Sequence, residues 1–168
     1  MDENINIHGT AYPLSEILSR FGDPKMVETA CKACPNYGKN YACPPNDLDL
    51  SDPDLWLHIS VWEQTLSQDD AALRMEEAFL DLRKRQDTAL LNLESALQGR
   101  ALFAGSCWRC NPCRRALGEP CPLPDLSRQS FELLGLNITS LLEELFHLHM
   151  SFDGPQSIFS VGGVLHKL

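Results

Sequence analysis

Residues 105–122 read GSCWRCNPCRRALGEPCP, and this stretch decides how the chain is organised. It places Cys107, Cys110, Cys113 and Cys121 in the spacing Cys-x2-Cys-x2-Cys-x7-Cys-Pro. Three thiolates at intervals of three residues fit one corner of an iron–sulfur cubane, and a fourth cysteine before proline completes such sites. The last gap has seven residues here, where the bacterial cluster-binding run has three. The stretch therefore predicts a four-thiolate site for a 4Fe-4S cluster.

A second cysteine-rich stretch, residues 31–45, reads CKACPNYGKNYACPP. It supplies Cys31, Cys34 and Cys43 in the spacing Cys-x2-Cys-x8-Cys-Pro. In two-cluster ferredoxins the cysteine before proline binds the other cluster. Cys43 therefore either completes the site in residues 105–122 or belongs to a second site. The seven thiols are one short of the eight that two cubanes need, so one iron is left for a carboxylate, a histidine, solvent or a substrate.

Zinc is the alternative metal. Structural zinc favours two separated Cys-x2-Cys pairs, which Cys31/Cys34 and Cys107/Cys110 would supply. Three of the seven cysteines would then have no role, so the iron–sulfur interpretation is preferred. Disulfides are disfavoured because an odd number of thiols cannot all pair, and because the residues after Met1 lack the features of a secretory signal. We therefore expect a cytoplasmic protein, in which thiols stay reduced.

Charge narrows the choice of partners. The formal net charge of −9 and the pI of about 4.9 argue against nucleic acid, because phosphate binding needs a basic face. No apolar run has the length of a membrane helix, so no membrane partner is expected. A redox partner protein is the expected partner, and the oligomeric state stays open. Residues 1–168 are predicted to form a single cysteine-rich metal-binding domain.

Local patterns predict an α+β fold, with a small mixed sheet, helices packed on one side and both cysteine-rich loops at one edge. Residues 5–12 indicate no element. A bulge is expected at Gly162-Gly163, within the last strand. Strands are predicted near residues 56–62, 101–105, 147–151 and 157–165. Helices are predicted at 14–21, from the cap Asp23 towards Cys31, from the cap Ser67 with Asp70 to Gly99, from Ser127 to Leu134, and from the cap Asn137 through Phe146.

Residues outside the cysteine loops carry weaker predictions. The Arg83-Lys84-Arg85 run is expected to be a solvated helix face. Arg128 is assigned to an ordinary helix start, with donation to a cluster as the alternative, and Trp108 either shields the metal or packs. Histidines are assigned structural roles, since no metal-binding histidine helix motif is present. The sequence also lacks a glycine-rich phosphate loop and a Gly-x-Ser-x-Gly motif, so nucleotide and hydrolase chemistry find no support.

The two loops resemble those of the predicted metal-binding proteins of the domain-of-unknown-function 2284 family, over roughly residues 25–165. The resemblance implies metal binding and iron–sulfur chemistry, and it supplies no reaction. One departure is Pro122, where that family commonly has an arginine. The matching residues are Cys31, Cys34, Tyr37, Gly38, Cys43, Pro44 and Pro45 in the first loop, then Gly105, Cys107, Cys110, Cys113, Pro120, Cys121, Pro124, Arg128, Ser130, Glu132 and Gly135.

Three functions remain open at this point. The preferred one is a small redox protein that passes electrons through one or two 4Fe-4S clusters to a partner. The first alternative is an enzyme or maturation factor with a cluster in which one iron lacks a cysteine ligand, so whether the protein is an enzyme stays undecided. The second alternative is an interaction module stabilised by zinc.

Overall fold

The computed structural model describes residues 4–45, 48–66, 74–151 and 157–168. Single 3-10 turns lie at Arg114–Leu117 and Phe131–Leu134. Helices and strands both occur in the described residues, so the predicted α+β class is confirmed. The regular elements are β1 (Ile5–Pro13), α1 (Leu14–Phe21), α2 (Pro24–Ala33), β2 (Leu55–Thr65), α3 (Met75–Leu97), β3 (Arg100–Leu102), α4 (Ile138–Phe146) and β4 (Ser157–Lys167).

The four strands form one sheet in the order β1-β2-β4-β3, and every pair of neighbours is antiparallel, so the sheet is not mixed. β2 and β4 form its centre, with Ile59 opposite Gly163. β1 is an edge strand that the sequence did not indicate. Its side chains lie largely outside the core, and Ile7 keeps 61% of its surface exposed. The half-buried side of the strand carries His8, Thr10 and Tyr12 and is therefore mostly polar, and backbone pairing with β2 holds the strand.

The helices cover both faces of the sheet, which corrects the prediction of one side. On one face, Leu57, Ile59 and Val61 of β2 pack in a core that includes residues of α1 and α4. On the other face, Val164 of β4 packs against Leu90 of α3. Because β4 is enclosed from both sides, all its residues from position 160 to 166 are buried. The helices could not be assigned to faces from their own apolar stripes, since such a stripe does not say which face it meets.

Gly162 allows α3 to pack closely on the sheet. A Cβ atom at this position would lie 2.7 Å from Cδ1 of Leu90 and 2.8 Å from the carbonyl oxygen of Leu102. β4 runs through Gly162 and Gly163 without interruption, so the predicted bulge is absent. The glycine serves a close approach between elements, which is the other common reason for glycine in a strand.

Gln86 joins α3 to the two central strands through the sheet's polar positions. Its Nε2 donates to the carbonyl oxygens of Ser60 at 2.9 Å and Ser160 at 3.0 Å. Its Oε1 accepts from the hydroxyl of Ser160. The side chain is fully buried, and these bonds satisfy both of its polar atoms. These bonds fix the position of α3 on the sheet. They therefore also fix the α3 side chains that contact the cysteine loops.

Several predicted boundaries are confirmed and others are not. Asp23 caps α2 by accepting from the backbone of Met26, and Asn137 caps α4 by accepting from Ser140, each at 3.1 Å. The predicted caps Ser67 and Asp70 lie outside the described residues. The helix predicted from Ser127 shortens to the turn Phe131–Leu134, which Gly135 ends with a φ of 66°. Within the part of the chain that the structure describes, no helix is long and apolar enough to cross a membrane.

The strand predicted at residues 147–151 is absent. His147 leaves α4 in the left-handed region, with a φ of 57°, so the chain turns away there. His147 and His149 are exposed, and residues 147–151 form no strand. The alternation of histidine and apolar residues is typical of a half-buried strand, but the pattern does not supply a neighbouring strand to pair with.

A partly buried ion pair ties α3 to the chain that follows the second cysteine loop. Arg128 donates from Nε and Nη2 to the two carboxylate oxygens of Glu94, at 2.8 and 2.6 Å. The backbone N–H of Ala101 donates to the same carboxylate at 2.6 Å. Hydrogen bonding from Arg128 is the largest influence on the pKa of Glu94 and lowers it, against the effect of burial. Arg128 therefore has a definite structural partner, which the sequence did not identify.

We expect Glu94→Gln to lower the free energy of unfolding at pH 7 by about 1–3 kcal/mol, because the variant loses the charged bidentate pair. The pKa of Glu94 is lowered in the folded state, so its contribution is present above the unfolded pKa and is lost as the pH falls through the folded pKa. Denaturation at pH 7 and near pH 3 measures the difference. Glu77→Gln, at an exposed position of the same helix, is the control. A loss that stays constant down to pH 3 would contradict the assignment.

Candidate metal centre

The first cysteine group consists of Cys31, Cys34 and Cys43, which line one cavity of about 150 Å³. Cys31 lies in the last turn of α2, and Cys34 caps that helix, with its N–H donating to the Cys31 carbonyl at 3.0 Å. Cys43 comes from the loop after α2 and is buried. The cavity is also lined by Tyr37, Pro44, Gly105, Ser106, Ser130 and Glu132.

The second cysteine group consists of Cys107, Cys110, Cys113 and Cys121, which line a smaller cavity of about 10 Å³. Cys121 Sγ lies 3.5 Å from the hydroxyl of Ser127. The long gap between Cys113 and Cys121 is spanned by a 3-10 turn that brings the last cysteine back to the first three.

The structure therefore places Cys43 with Cys31 and Cys34, and not with the second group. This grouping differs from the exchange of Cys43 that the Cys-Pro pattern left open. It also differs from a zinc site built from the Cys-x2-Cys pairs of both loops, because those pairs line separate cavities. All seven cysteines are described, and none is joined in a disulfide. Within the described ranges, no three His, Cys, Asp or Glu side chains stand ready to hold a single metal ion.

Asn40 holds the two loops together. Its side-chain oxygen accepts from the backbone N–H of Ala42 at 3.0 Å and of Cys107 at 3.1 Å. Its Nδ2 donates to the carbonyl oxygen of Cys107 at 2.9 Å. Asn40 is only 5% exposed, so these bonds are shielded from competition with water. One side chain of the first loop thus holds both polar backbone groups of a cysteine in the second.

Arg115 makes a second connection between the loops, in the opposite direction. Its Nη1 donates to the carbonyl oxygens of Asn40 at 3.1 Å and Cys43 at 3.0 Å, and its Nη2 donates to that of Pro45 at 2.8 Å. The guanidinium group of the second loop thus gathers three carbonyls of the first. These bonds and those of Asn40 fix the two loops without any metal.

Ser106 stands between the two cysteine groups. Its hydroxyl lies 3.0 Å from Sγ of Cys43 and accepts from Nδ2 of Asn36 at 2.9 Å. Ser106 is also the residue before Cys107 in the chain. One serine therefore separates a thiol of the first group from a member of the second.

Arg83 of α3 reaches under the second loop, which corrects the prediction that the Arg83-Lys84-Arg85 run is wholly solvated. Its Nη2 donates to the carbonyl oxygen of Ser106, and burial is the largest influence on its pKa and lowers it. Its Nε is buried and has no hydrogen-bond partner. Lys84 and Arg85 are exposed, as predicted. Arg83 differs because it lies one helical turn from the buried Gln86 and Asp87, on the side that faces the loop.

Asp87 anchors the second loop to the same helix. Trp108 Nε1 donates to Oδ2 of Asp87 at 2.8 Å, and Arg109 Nη1 approaches the same oxygen at 3.4 Å. Asp87 is 1% exposed, and this burial raises its pKa. Trp108 therefore links the second loop to α3 through a hydrogen bond. The sequence did not reveal Asp87, because it stands in a helix segment whose apolar stripe runs elsewhere.

Histidines take no part in either group. Neither cavity has a histidine among its lining residues in the described chain. His149 instead lies 3.4 Å from Glu143 at the surface. The structural role expected for the histidines stays a prediction.

The donor set fits an iron–sulfur centre. Burial is the largest cause that raises the pKa of the thiols of Cys31, Cys43 and Cys107. Glu132 raises the pKa of Cys31 and Cys43 further, whereas Arg109 opposes the rise at Cys107. A bound metal centre would oppose these rises by stabilising the thiolates. Arg83 adds a half-buried positive charge near Cys43 and Cys107, and its buried Nε has no protein acceptor. Thiolates in such surroundings are the ligands that iron–sulfur clusters use.

We expect Asn40→Ala to lower the midpoint of thermal unfolding by about 5–10 °C, because it leaves the N–H and carbonyl of Cys107 without their partner. Retention of metal against a chelator should fall as well, since Cys107 loses its fixed position. Asn36→Ala is the matched control, because it removes a single hydrogen bond at an exposed position of the same loop. Equal midpoints for the two variants would contradict the role of Asn40.

Comparison with known proteins supplies the family. No curated protein and no solved structure is detectably similar to this chain. The family described as predicted metal-binding protein (DUF2284) matches residues 23–166, which include both cysteine groups and the turn that carries Glu132. The matched range covers most of the 168 residues. The chain therefore belongs to the DUF2284 family of predicted metal-binding proteins.

Proposed function

We propose that this protein is a small cytoplasmic redox protein that binds one 4Fe-4S cluster in each cysteine group and exchanges electrons with a partner protein. The carrying observation is the division of the seven thiols into a group of three and a group of four around two neighbouring cavities. A 4Fe-4S cluster supplies one-electron chemistry when bound. The protein itself would hold the two clusters, set the charge around them and shield them from water.

Cavity size and donor chemistry support iron–sulfur over zinc at the first group. A cavity of about 150 Å³ exceeds what one ion needs, since even a water molecule occupies about 30 Å³ of liquid. A structural zinc site draws four ligands to within about 2.3 Å of one ion. The second group is supported by its donors and not by volume, because its cavity measures only about 10 Å³. Four thiols at this spacing suit a cluster.

The arrangement of the groups supports electron transfer. Cys43 of the first group and Cys107 of the second are separated by Ser106, whose hydroxyl lies 3.0 Å from Cys43 Sγ. Both groups reach the surface, since Cys34 is exposed in the first group and Asn111 and Pro112, between Cys110 and Cys113, are exposed in the second. An electron from a partner would therefore have access to either group and would pass on to the other.

Positive side chains surround the second group within an otherwise acidic protein. Arg109 and Arg114 line its cavity, and Arg115 lies beside it in the 3-10 turn. The chain as a whole has a net charge of −9. A partner with an acidic patch around its own redox site would complement this region, and charge complementarity speeds such encounters.

The second candidate function is that of an enzyme or maturation factor. Only the first cysteine group favours it. That group has three thiols and a cavity with room for a small ligand. An iron without a thiolate would be open to chemistry beyond electron transfer. Substrate-dependent changes in the electron paramagnetic resonance (EPR) of the reduced first centre would favour this function over the carrier.

We expect protein isolated without oxygen to be brown, with broad absorption near 400 nm, and to contain about eight irons and eight sulfides per chain. The double variants Cys31→Ser/Cys34→Ser and Cys110→Ser/Cys113→Ser should each lose about half of the iron, because each removes two thiolates from one group. Iron and sulfide analysis measures this, and circular dichroism checks the fold. Stoichiometric zinc without iron would refute the proposal and indicate a zinc-stabilised interaction module.

A further inference from the structure

We propose that the carboxylate of Glu132 is the non-cysteine ligand of the first group, which makes that group a site for a 4Fe-4S cluster held by three thiolates and one carboxylate. This inference rests on the proposed function and deepens it. It names the eighth protein ligand that seven cysteines leave missing. The observation that carries it is the position of Glu132 in the wall of the cavity that Cys31, Cys34 and Cys43 line.

The backbone holds Glu132 against the segment that brings Cys43. Glu132 belongs to the turn Phe131–Leu134, whose Phe131 is 1% exposed. The N–H of the preceding Ser130 donates to the carbonyl of Ala42, the neighbour of Cys43, at 2.9 Å. Glu132 and Cys43 are therefore linked through one hydrogen bond and a few covalent bonds. A rigid backbone of this kind is what a metal ligand needs.

The same turn is fixed against the helix that brings the other two thiols. The carbonyl of Gly135 accepts from the N–H of Asp23, the cap of α2, at 2.8 Å. A Cβ atom at Gly135 would lie 3.1 Å from Cα and Cβ of Pro24, so turn and helix are in close contact. α2 then carries Cys31 and Cys34 at its far end. The positions of all three thiols are thus set relative to Glu132 before any metal arrives.

The carboxylate is engaged by the protein, yet it keeps capacity for a metal. The N–H of Gly105 donates to its two oxygens, at 3.1 and 3.2 Å. The Ser130 side chain and the backbone of Glu132 also hydrogen-bond this carboxylate. A carboxylate has about four acceptor positions, so about one of them is left for a metal. Gly105 adopts a φ of 61°, which glycine reaches without strain and which aims its N–H at Glu132.

Other side chains of this cavity are weaker candidates. The hydroxyl of Ser106 already contacts Cys43 and Asn36. Tyr37 and Ser130 offer neutral hydroxyls, which are poorer ligands than a carboxylate. The cavity has no histidine among its lining residues in the described chain. Glu132 is the carboxylate in that lining. Arg83 offsets part of its charge, and a bound metal centre would offset more of it.

The experiment compares wild type, Glu132→Gln and Glu132→Cys, all isolated without oxygen, by iron analysis, Mössbauer spectroscopy and EPR. In the wild type, we expect about one iron in eight to show a distinct Mössbauer component with oxygen coordination. Glu132→Gln keeps a side chain that can accept from Gly105 but loses the anionic ligand. It should lose about one iron per chain and show the EPR signal of an oxidised three-iron cluster.

Glu132→Cys should retain all the iron and lose the distinct component, because all ligands would then be thiolates. This variant and the wild-type spectrum keep the inference testable if Glu132→Gln fails to fold. Glu119→Gln, an exposed carboxylate of the second loop that pairs with Arg114, is the control and should match the wild type.

The outcomes separate the inference from the proposed function. Two clusters whose spectra are the same in wild type and Glu132→Gln would overturn the assignment of Glu132 and leave the proposed function standing. A wild-type spectrum in which no iron shows oxygen coordination would do the same. A wild type without iron would overturn both.

Discussion

The hydrogen bonds of Asn40 to Cys107 are the constraint on which the candidate metal centre depends. They join two loops that lie 67 positions apart in the chain, and they act on the backbone of a cysteine itself. Both loops are rich in proline and glycine and have little regular structure of their own, so neither would hold its sulfur atoms in place alone. Because Asn40 is buried, each bond counts for more than it would at the surface. The metal centre is thus prepared by polar contacts between loops, with Arg115 completing the junction from the other side.

α3 carries that junction on the sheet. Gln86 fixes the helix to β2 and β4, and the close approach at Gly162 sets its depth. From this fixed position Arg83 and Asp87 reach the second loop, and Glu94 holds the chain that leaves it. The helix therefore has two roles, since one side covers the sheet and the adjoining side supports the loop. A fold with helices on both faces makes this possible, because α3 is then free of the core formed by α1 and α4.

Cysteine spacing reports local chain geometry, so the spacing within residues 105–122 predicted that its four cysteines lie together, and they line one cavity. That these cysteines bind a metal stays a prediction. Whether Cys43 joins its own loop or the other one depends on how the two loops meet, through contacts between distant positions such as those of Asn40 and Arg115, and spacing does not encode those contacts. Arg83 and Asp87 belong to a helix that was predicted, but their contacts with the loop depend on how that helix is rotated on the sheet. The sequence did not indicate β1, because this strand is held by backbone pairing with β2 and its side chains stay largely outside the core.

The two groups differ in their donors and in their surroundings. The second group has four half-buried thiols and is bordered by Arg109 and Arg114. The first has three thiols, of which Cys43 is buried and Cys34 is exposed, together with a carboxylate, and its cavity is the larger of the two. Exposure, net charge and hydrogen bonds to sulfur all set the potential of an iron–sulfur centre, so two groups with such different surroundings would hold electrons with different affinity. Since the Ser106 hydroxyl contacts Cys43 and Ser106 precedes Cys107 in the chain, that difference would act between neighbouring groups, one with four thiolates and one in which a weaker oxygen ligand leaves room for exchange.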